Sequence, residues 1–310
     1  MAQGVNGRIK EYIVMRQQTV FQGVATALIT PFTDTGVDYD AIARLINWQI
    51  EETIDALVLC GTTGEGSTLS TEEYRAVLEC GVKTAAGRVP IIAGAGSNCT
   101  ARAVELAKLA SAAGCDALLC VTPYYNKTTQ KGLLAHYEAI ADATDLPIIL
   151  YNVPSRTGVN IAPATAATLS RNPKIVGLKE ASGDISQVVE TAALTEGRLD
   201  IYSGNDDQIV PLLACGGKGV ISVLSNILPR ETAELCRTYF AGDIPGAMAL
   251  QTKYLPLIQS LFCEVNPIPV KAAMAALGYC ENTPRLPLIP MEDAHRAVLL
   301  DRMRDAGLVV

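Results

Sequence analysis

The chain has 310 residues, with 25 Lys and Arg against 32 Asp and Glu, and its formal net charge is −7. A protein that grips a nucleic acid or an anionic membrane surface needs clustered basic residues, and this sequence contains no basic run. Hydrophobic residues make up 49% of the chain and charged residues 18%, which is typical of a folded globular protein. We therefore expect neither a nucleic acid nor a membrane as a partner.

Nine cysteines and two histidines limit the metal and redox chemistry of the chain. The cysteines are irregularly spaced and mostly lie in apolar stretches such as 57–60 and 118–120, as buried reduced thiols do. There is no Cys-x-x-Cys pair, and only His136 and His295 offer imidazole ligands. No apolar run reaches the roughly 18 residues of a membrane-spanning helix, and the run at 12–15 is too short for an export signal. The sequence predicts a cytoplasmic protein without a metal site.

Eight short apolar runs, rich in β-branched residues or leucine, predict strands. They lie near residues 24–30, 56–60, 90–95, 116–121, 147–151, 175–179, 199–203 and 218–223. Their starts recur about every 28 residues, which leaves room for one helix and two short loops between neighbours. Nearly continuous apolar strands are buried on both faces, and eight right-handed βα units in series favour a closed parallel barrel. The predicted fold class is α/β, with a (β/α)8 barrel.

Helical patterns replace the strand patterns after the eighth strand. We predict a barrel over residues 21–242 and a C-terminal helical domain over residues 243–310, with helices near 244–264, 267–278 and 291–308. A proline-rich stretch at 283–290 is interpreted as a rigid connector before the last helix. Residues 1–20 are predicted to be an extension, either a disordered tail or a segment before an alternative start at Met15.

Polar residues follow most of the predicted strands, at the barrel end where active sites of such folds are built. Lys179 ends an apolar strand, so we expect its amine in a low-dielectric pocket, where desolvation lowers the pKa and frees the nucleophile for Schiff-base chemistry. The alternative is an ion pair with Glu180 or a solvent-exposed amine. Tyr125 and Tyr151, with the Thr62 hydroxyl, would form a proton relay beside an imine, although a single tyrosine is more often a core residue.

Two further features of the sequence, a glycine-rich loop and an arginine, are suited to binding an anion. The glycine-rich loop 61–66 can turn several main-chain N–H groups toward one point, which suits a carboxylate, although an ordinary turn is the alternative. Arg156, in a loop framed by Pro and Gly, can hold a second carboxylate through two hydrogen bonds or else be an exposed loop residue. No Walker or GxGxxG pattern is present, so nucleotide binding has little support.

Four motifs, taken together, closely resemble those of the dihydrodipicolinate synthase (4-hydroxy-tetrahydrodipicolinate synthase) family. They are GTTGEG at 61–66, VTPYYNK at 121–127, YNVPSRTG at 151–158 and GLKEASGD at 177–184. The resemblance, over about residues 23–310, implies a TIM barrel with a C-terminal helical domain, and a homotetramer whose tight dimers complete each other's active sites. It also implies a lyase of lysine and diaminopimelate biosynthesis that condenses pyruvate with L-aspartate 4-semialdehyde, with a covalent imine and no cofactor.

The resemblance assigns the catalytic roles by position. Lys179 matches the lysine that forms the imine with pyruvate, whose enamine then attacks the aldehyde. Thr62 and Tyr151 match two members of the family's proton relay. Tyr125 matches the third member, which reaches across the tight dimer interface.

The resemblance also assigns substrate-binding residues. Thr63 matches the binder of the pyruvate carboxylate and Arg156 the binder of the semialdehyde carboxylate, while Gly204 and Ile221 match positions whose main chain lines the lysine pocket. The related N-acetylneuraminate lyases lack the arginine and carry Ser-Thr in place of the Thr62–Thr63 pair, so both positions favour the synthase over a lyase for another 2-oxo acid. A catalytically inactive binding protein would have lost the lysine or the relay, and both are present.

The predicted regulatory site departs from the family pattern. In relatives that lysine inhibits, a glutamate and nearby histidines meet the effector's charge. Here Asn98 and Tyr124 match that site, but Arg102 stands at the glutamate position, and Thr71 and Tyr74 stand at the histidine positions. An arginine facing a cationic lysine costs about 1 kcal/mol or more at partly exposed distances. We therefore predict weak or absent inhibition by lysine.

Overall fold

The computed structural model describes residues 19–310, so the extension predicted over residues 1–20 lies almost entirely outside the described residues. Within that range, ten strands are present: β1 (Gly23–Ala27), β2 (Phe32–Thr33), β3 (Gly36–Val37), β4 (Ala56–Leu59), β5 (Ile91–Gly94), β6 (Ala117–Val121), β7 (Ile148–Asn152), β8 (Ile175–Glu180), β9 (Asp200–Ser203) and β10 (Gly219–Ser222). Eight of them close into a parallel barrel in the order β1-β10-β9-β8-β7-β6-β5-β4. The predicted TIM barrel and all eight of its strands are confirmed.

Helices on the outside of the barrel separate its strands. They are α1 (Tyr39–Glu51), α2 (Thr71–Ala85), α3 (Thr100–Ala113), α4 (Gln130–Asp142), α5 (Pro154–Thr157), α6 (Pro163–Leu169), α7 (Ile185–Thr195), α8 (Ile209–Ala214) and α9 (Pro229–Phe240). Local sequence fixes some of their starts. Helix α2, for example, begins with a capping box in which Ser70 and Glu73 satisfy each other's main-chain N–H groups.

Successive side chains of a strand point to opposite faces, so the apolar residues of the barrel strands form one layer inside the barrel and another against the helices. Small and branched side chains such as Ala25, Val58 and Ile221 fill the barrel interior, whereas their neighbours pack against the helices. At the amino-terminal end of the barrel, Phe21 stacks on Tyr202 with ring centroids 4.2 Å apart, and the tyrosine hydroxyl donates to the Phe21 carbonyl. This packing fills the end where the strands begin, so the carboxyl end is the one left for a site.

Three further helices follow the barrel: α10 (Ile244–Ser260), α11 (Ile268–Ala276) and α12 (Asp293–Asp305). Helix α10 packs on α9 and α12, and α11 packs on α12, so the predicted helical character of this region is confirmed. The boundary between residues 242 and 243 stays a prediction. In the part of the chain that the structure describes, no helix is both long and apolar enough to cross a bilayer.

The hairpin of β2 and β3 was not predicted, because two-residue strands leave no hydrophobic pattern. The proline-rich stretch is more than the predicted connector. Its Thr283 hydroxyl donates to the Phe32 carbonyl, and the Arg285 main-chain N–H donates to the carboxylate of Glu65 in the glycine-rich loop, at 2.8 Å each. The C-terminal region is therefore fastened to the barrel end that carries the candidate site.

Candidate active site

Two connected cavities open at the carboxyl ends of the barrel strands. The first, of about 180 Å³, is named the lysine cavity; its lining includes Thr62, Thr63, Tyr151, Arg156, Lys179 and Gly204. The second, of about 380 Å³, is named the outer cavity; it shares Thr62, Tyr151 and Arg156 with the first and adds Arg102 and Tyr124. Six of the eight residues predicted for catalysis or substrate binding therefore line one cavity.

Lys179 lies in β8 with its side chain in the lysine cavity and only 5% of its surface exposed. Its Nζ lies 4.4 Å from the centroid of the Tyr151 ring. Burial lowers the pKa of Lys179 to about 8, the Asp206 carboxylate opposes this by raising it, and the Arg156 guanidinium lowers it further. A larger share of the amine is therefore neutral and nucleophilic near physiological pH than in an exposed lysine. Burial also raises the pKa of Tyr151 to about 12, so this hydroxyl keeps its proton.

The alternative ion pair between Lys179 and Glu180 does not form. Because side chains alternate along a strand, the two residues face opposite sides of β8. Glu180 is instead buried behind the barrel wall, where its carboxylate accepts from Asn152 Nδ2 at 3.0 and 3.1 Å, the Ser182 main-chain N–H at 2.7 Å and Gln187 Nε2 at 3.1 Å. Within residues 19–310, Lys179 makes no ion pair of its own.

Hydrogen bonds on the outer face of β7 and β8 help to position Tyr151 and Lys179 on the inner face. Tyr151 pairs in register with Lys179, and Asn152 pairs with Glu180 on the neighbouring strand. The Asn152–Glu180 hydrogen bonds therefore join β7 to β8 directly after the Tyr151–Lys179 pair, and so hold the tyrosine and the lysine beside each other. The sequence analysis did not predict this positioning role of Asn152 and Glu180, although Asn152 lies in the motif at 151–158 and Glu180 in the motif at 177–184.

Gly204 provides space for the lysine. A Cβ at this position would lie 2.7 Å from the Ala181 Cβ and 3.0 Å from Cε of Lys179, both closer than ordinary packing permits. The glycine therefore lets β9 approach the lysine side chain without pushing it aside. Ile221, the other predicted main-chain position, is fully buried in the barrel interior and does not belong to the lining of either cavity.

The glycine-rich loop presents main-chain donors to the cavities. Within the described chain, the N–H groups of Thr62 and Thr63 donate to no protein acceptor, so they remain available to an anion. The loop is held in place by its own packing. A Cβ at Gly66 would lie 2.0 Å from the Cys60 carbonyl oxygen, and Glu65 adopts a left-handed conformation with φ of 49°.

Asn266, between α10 and α11, joins two of the predicted substrate-binding residues. Its Nδ2 donates to the buried Thr63 hydroxyl oxygen at 3.0 Å, and its main-chain oxygen accepts from Arg156 Nη2 at 3.4 Å. It also lines the lysine cavity. Sequence reasoning missed Asn266 and Asp206, since neither lies in a motif that was assigned a role and both depend on contacts between distant segments.

Tyr125 is not brought into the lysine cavity by its own chain. It is 90% exposed, adopts a left-handed backbone conformation with φ of 67°, and lines neither cavity. The predicted three-residue relay is therefore incomplete within one chain, which contributes Thr62 and Tyr151 to the cavity lining.

Only some of the residues predicted for the regulatory site line a cavity in the structure. Arg102 and Tyr124 line the outer cavity, whereas Asn98 and Tyr74 do not. Tyr74 is 1% exposed, and burial raises the pKa of its hydroxyl well above the ordinary value. Arg102 Nη1 donates to Thr71 Oγ1 at 3.0 Å and forms an ion pair with Glu105 at 2.8 Å. A cation therefore occupies the rim of this cavity.

One group of potential metal ligands occurs in the described residues: Glu264, Glu292 and His295, with ligand atoms within 4.8 Å of one another. His295 Nδ1 lies 2.7 Å from a Glu264 oxygen, so these groups already satisfy each other. None of the three lines either cavity. The absence of a metal site stays a prediction.

Comparison with known proteins places these features in a family. A profile described as the dihydrodipicolinate synthetase family matches residues 20–305. The 4-hydroxy-tetrahydrodipicolinate synthase of Alkaliphilus oremlandii is 50% identical over 290 residues, which cover 94% of this chain and 100% of the relative.

Solved structures agree with the sequence relatives. The chloride-inhibited dihydrodipicolinate synthase of Acinetobacter baumannii, complexed with pyruvate, has a TM-score of 0.92 at 44% identity and covers 94% of this chain and 100% of its own. A dihydrodipicolinate synthase variant described as the first monomeric one has a TM-score of 0.92 at 42% identity, covering 94% of this chain and 98% of its own. The chain therefore belongs to the dihydrodipicolinate synthetase family and is a lyase.

Proposed function

We propose that this enzyme condenses pyruvate with L-aspartate 4-semialdehyde to form 4-hydroxy-tetrahydrodipicolinate, in lysine and diaminopimelate biosynthesis. The observation that carries the proposal is Lys179, a buried amine with its pKa lowered to about 8, in a cavity with Tyr151 and Arg156. The names of the relatives and the pyruvate complex of the Acinetobacter baumannii enzyme support it.

The chemistry begins at the lysine amine. Neutral Lys179 Nζ attacks the ketone carbon of pyruvate, and loss of water gives a cationic imine. Loss of a methyl proton converts the imine to an enamine, whose carbon attacks the semialdehyde's aldehyde carbon. The semialdehyde's own amine then displaces the lysine, which closes the ring and restores Nζ. The imine itself serves as the electron sink, so the proposal includes no cofactor.

The other cavity residues have complementary roles in the proposal. Tyr151 and Thr62, with Tyr125, pass protons to and from the reacting oxygens. Thr63 and the free N–H groups of the glycine-rich loop bind the pyruvate carboxylate, and Arg156 binds the semialdehyde carboxylate. Gly204 leaves space for the lysine side chain, and Ile221 packs in the same apolar cluster of the barrel interior as Tyr151.

We propose that the enzyme is a homotetramer built from tight dimers. Tyr125 is exposed in the single chain, which suits a residue that enters a partner's cavity and completes the relay there. That a related variant is described as the first monomeric one supports oligomers as the usual state. We place the enzyme in the cytoplasm, because all nine cysteines are free thiols.

The Asp206 carboxylate raises the pKa of Lys179, so replacing it should lower that pKa further below about 8. We expect the pH at which imine formation is half-maximal to fall in Asp206→Asn. Borohydride trapping of bound pyruvate across a pH series measures this midpoint. Asp207→Asn, the same change at the exposed neighbouring position, serves as the control and should keep the wild-type midpoint. An unchanged or higher midpoint in Asp206→Asn would contradict this electrostatic assignment.

Lysine should inhibit this enzyme weakly or not at all, because Arg102 places a cation at the rim of the outer cavity. We expect less than half-inhibition at about 1 mM lysine. Initial rates at fixed substrate concentrations and increasing lysine test this. Half-inhibition below about 1 mM would refute the prediction.

The proposed function is tested by pyruvate consumption with purified protein. Aspartate 4-semialdehyde is offered in one assay and N-acetylmannosamine in another. Rapid consumption with the semialdehyde alone supports the synthase. Consumption with the sugar alone would keep the lysine chemistry but overturn the role of Arg156. Consumption with neither would overturn the proposed function.

A further inference from the structure

Asn266 is the polar side chain by which the C-terminal region enters the lysine cavity. It is 5% exposed and lies in the loop between α10 and α11. Its bond to Thr63 joins residues 203 positions apart in sequence. The position of this amide therefore depends on the docking of the C-terminal helices on the barrel.

The amide determines where the Thr63 hydroxyl proton can go. A hydroxyl has one proton to donate and two lone pairs that accept. Because Asn266 Nδ2 donates to Thr63 Oγ1, one lone pair is occupied and the proton must point elsewhere. Within the described residues, no protein group accepts that proton. A carboxylate bound in the cavity is an acceptor with no proton of its own, and it fits this geometry.

The main chain of the same residue contacts the arginine. Arg156 Nη2 donates to the Asn266 carbonyl oxygen at 3.4 Å, and Arg156 forms no ion pair within residues 19–310. A neutral carbonyl orients the guanidinium without cancelling its charge. The remaining donors of Arg156 stay available for a carboxylate.

We propose that Asn266 is a positioning residue that prepares Thr63 and Arg156 together as anion-binding groups, and so sets the affinity for both carboxylate substrates. This inference rests on the proposed function. It requires a neutral donor at position 266. A carboxylate there would accept the Thr63 proton and would place a negative charge beside Arg156, opposing both substrates.

The test compares the Michaelis constants of three variants with those of the wild type. In Asn266→Asp, which keeps the side-chain shape, we expect KM for pyruvate and for the semialdehyde to rise at least about tenfold at pH 8, with a smaller change in kcat. The penalty should shrink as the pH falls, because a protonated carboxyl can donate to Thr63 as the amide does. Asn266→Ala should raise mainly KM for pyruvate, since the main-chain contact to Arg156 remains. Asn47→Asp, the same change on the outer helix α1, should leave both constants unchanged.

The outcomes separate this inference from the function on which it rests. Wild-type KM values in both Asn266 variants would overturn the positioning role. A fall in kcat with unchanged KM and no pH dependence would also overturn it, since that is the result of a general structural defect. If Asn266→Asp does not fold, Asn266→Ala with an unchanged KM for pyruvate overturns the role and a raised one supports it. Failure of the wild type to consume both substrates overturns the proposed function and this inference with it.

Discussion

Replacing Lys179 by alanine is expected to abolish the pyruvate adduct and to lower turnover by about 10⁴-fold or more, a loss of about 5 kcal/mol of transition-state stabilisation. The reason is that the substitution removes the only atom proposed to form the imine, so the enamine cannot form by this route. Lys179 is also the residue whose pKa is lowered to about 8 by burial in the cavity. Steady-state rates with both substrates, and borohydride trapping with pyruvate alone, measure the two effects separately.

Two controls distinguish lost chemistry from lost charge or lost fold. Lys179→Arg keeps a cation in the cavity but supplies no amine of suitable pKa, so we expect it to be as inactive as the alanine variant. Lys218→Ala removes a lysine that immediately precedes β10, at the opposite end of the barrel, and should keep wild-type activity. Substantial activity in Lys179→Arg would show that the lysine acts as a charge and would refute imine catalysis.

Replacing Lys271 by methionine is expected to lower the free energy of unfolding by about 3–5 kcal/mol. Lys271 is 0% exposed, and its Nζ lies 2.5 Å from a carboxylate oxygen of buried Glu65 and 4.0 Å from the Phe32 ring centroid. Removing the amine leaves the Glu65 charge in a low-dielectric interior with the Arg285 main-chain N–H as its remaining donor. Urea unfolding of the variant and the wild type measures the difference.

A paired variant tests whether the loss comes from the unpaired charge. Glu65→Gln combined with Lys271→Met removes both charges, so we expect it to be clearly more stable than Lys271→Met alone. Because Glu65 lies in the glycine-rich loop, the single variant should also weaken pyruvate binding more than the double variant does. Equal stability of the single and double variants would show that packing, rather than charge, accounts for the loss.

The fold was predictable because its signals are local. The barrel strands are four to six residues long and mostly apolar, and their regular spacing is a property of the chain itself. The burial and lowered pKa of Lys179 were predictable for a similar reason: the end of an apolar strand in a parallel barrel lies beside a cavity. Local pattern and topology were sufficient for both.

The features that sequence reasoning missed depend on distant contacts. Asn266 acquires its role only when the C-terminal helices dock on the barrel, and the partner of Glu65 lies 206 positions away at Lys271. Tyr125 was predicted to reach across the dimer interface, and its exposure in the single chain leaves that assignment a prediction. Ile221 and Tyr74 were placed by position at the lysine pocket and at the regulatory site; both are buried, and neither lines a cavity of the described chain.

The most direct test of imine catalysis by Lys179 is to locate the trapped pyruvate. The wild-type enzyme is incubated with pyruvate and borohydride, digested and mapped by mass spectrometry. We expect one reduced pyruvate adduct, on the peptide that contains Lys179 and on that lysine. An adduct on another lysine, or no adduct in an enzyme that turns over both substrates, would contradict it.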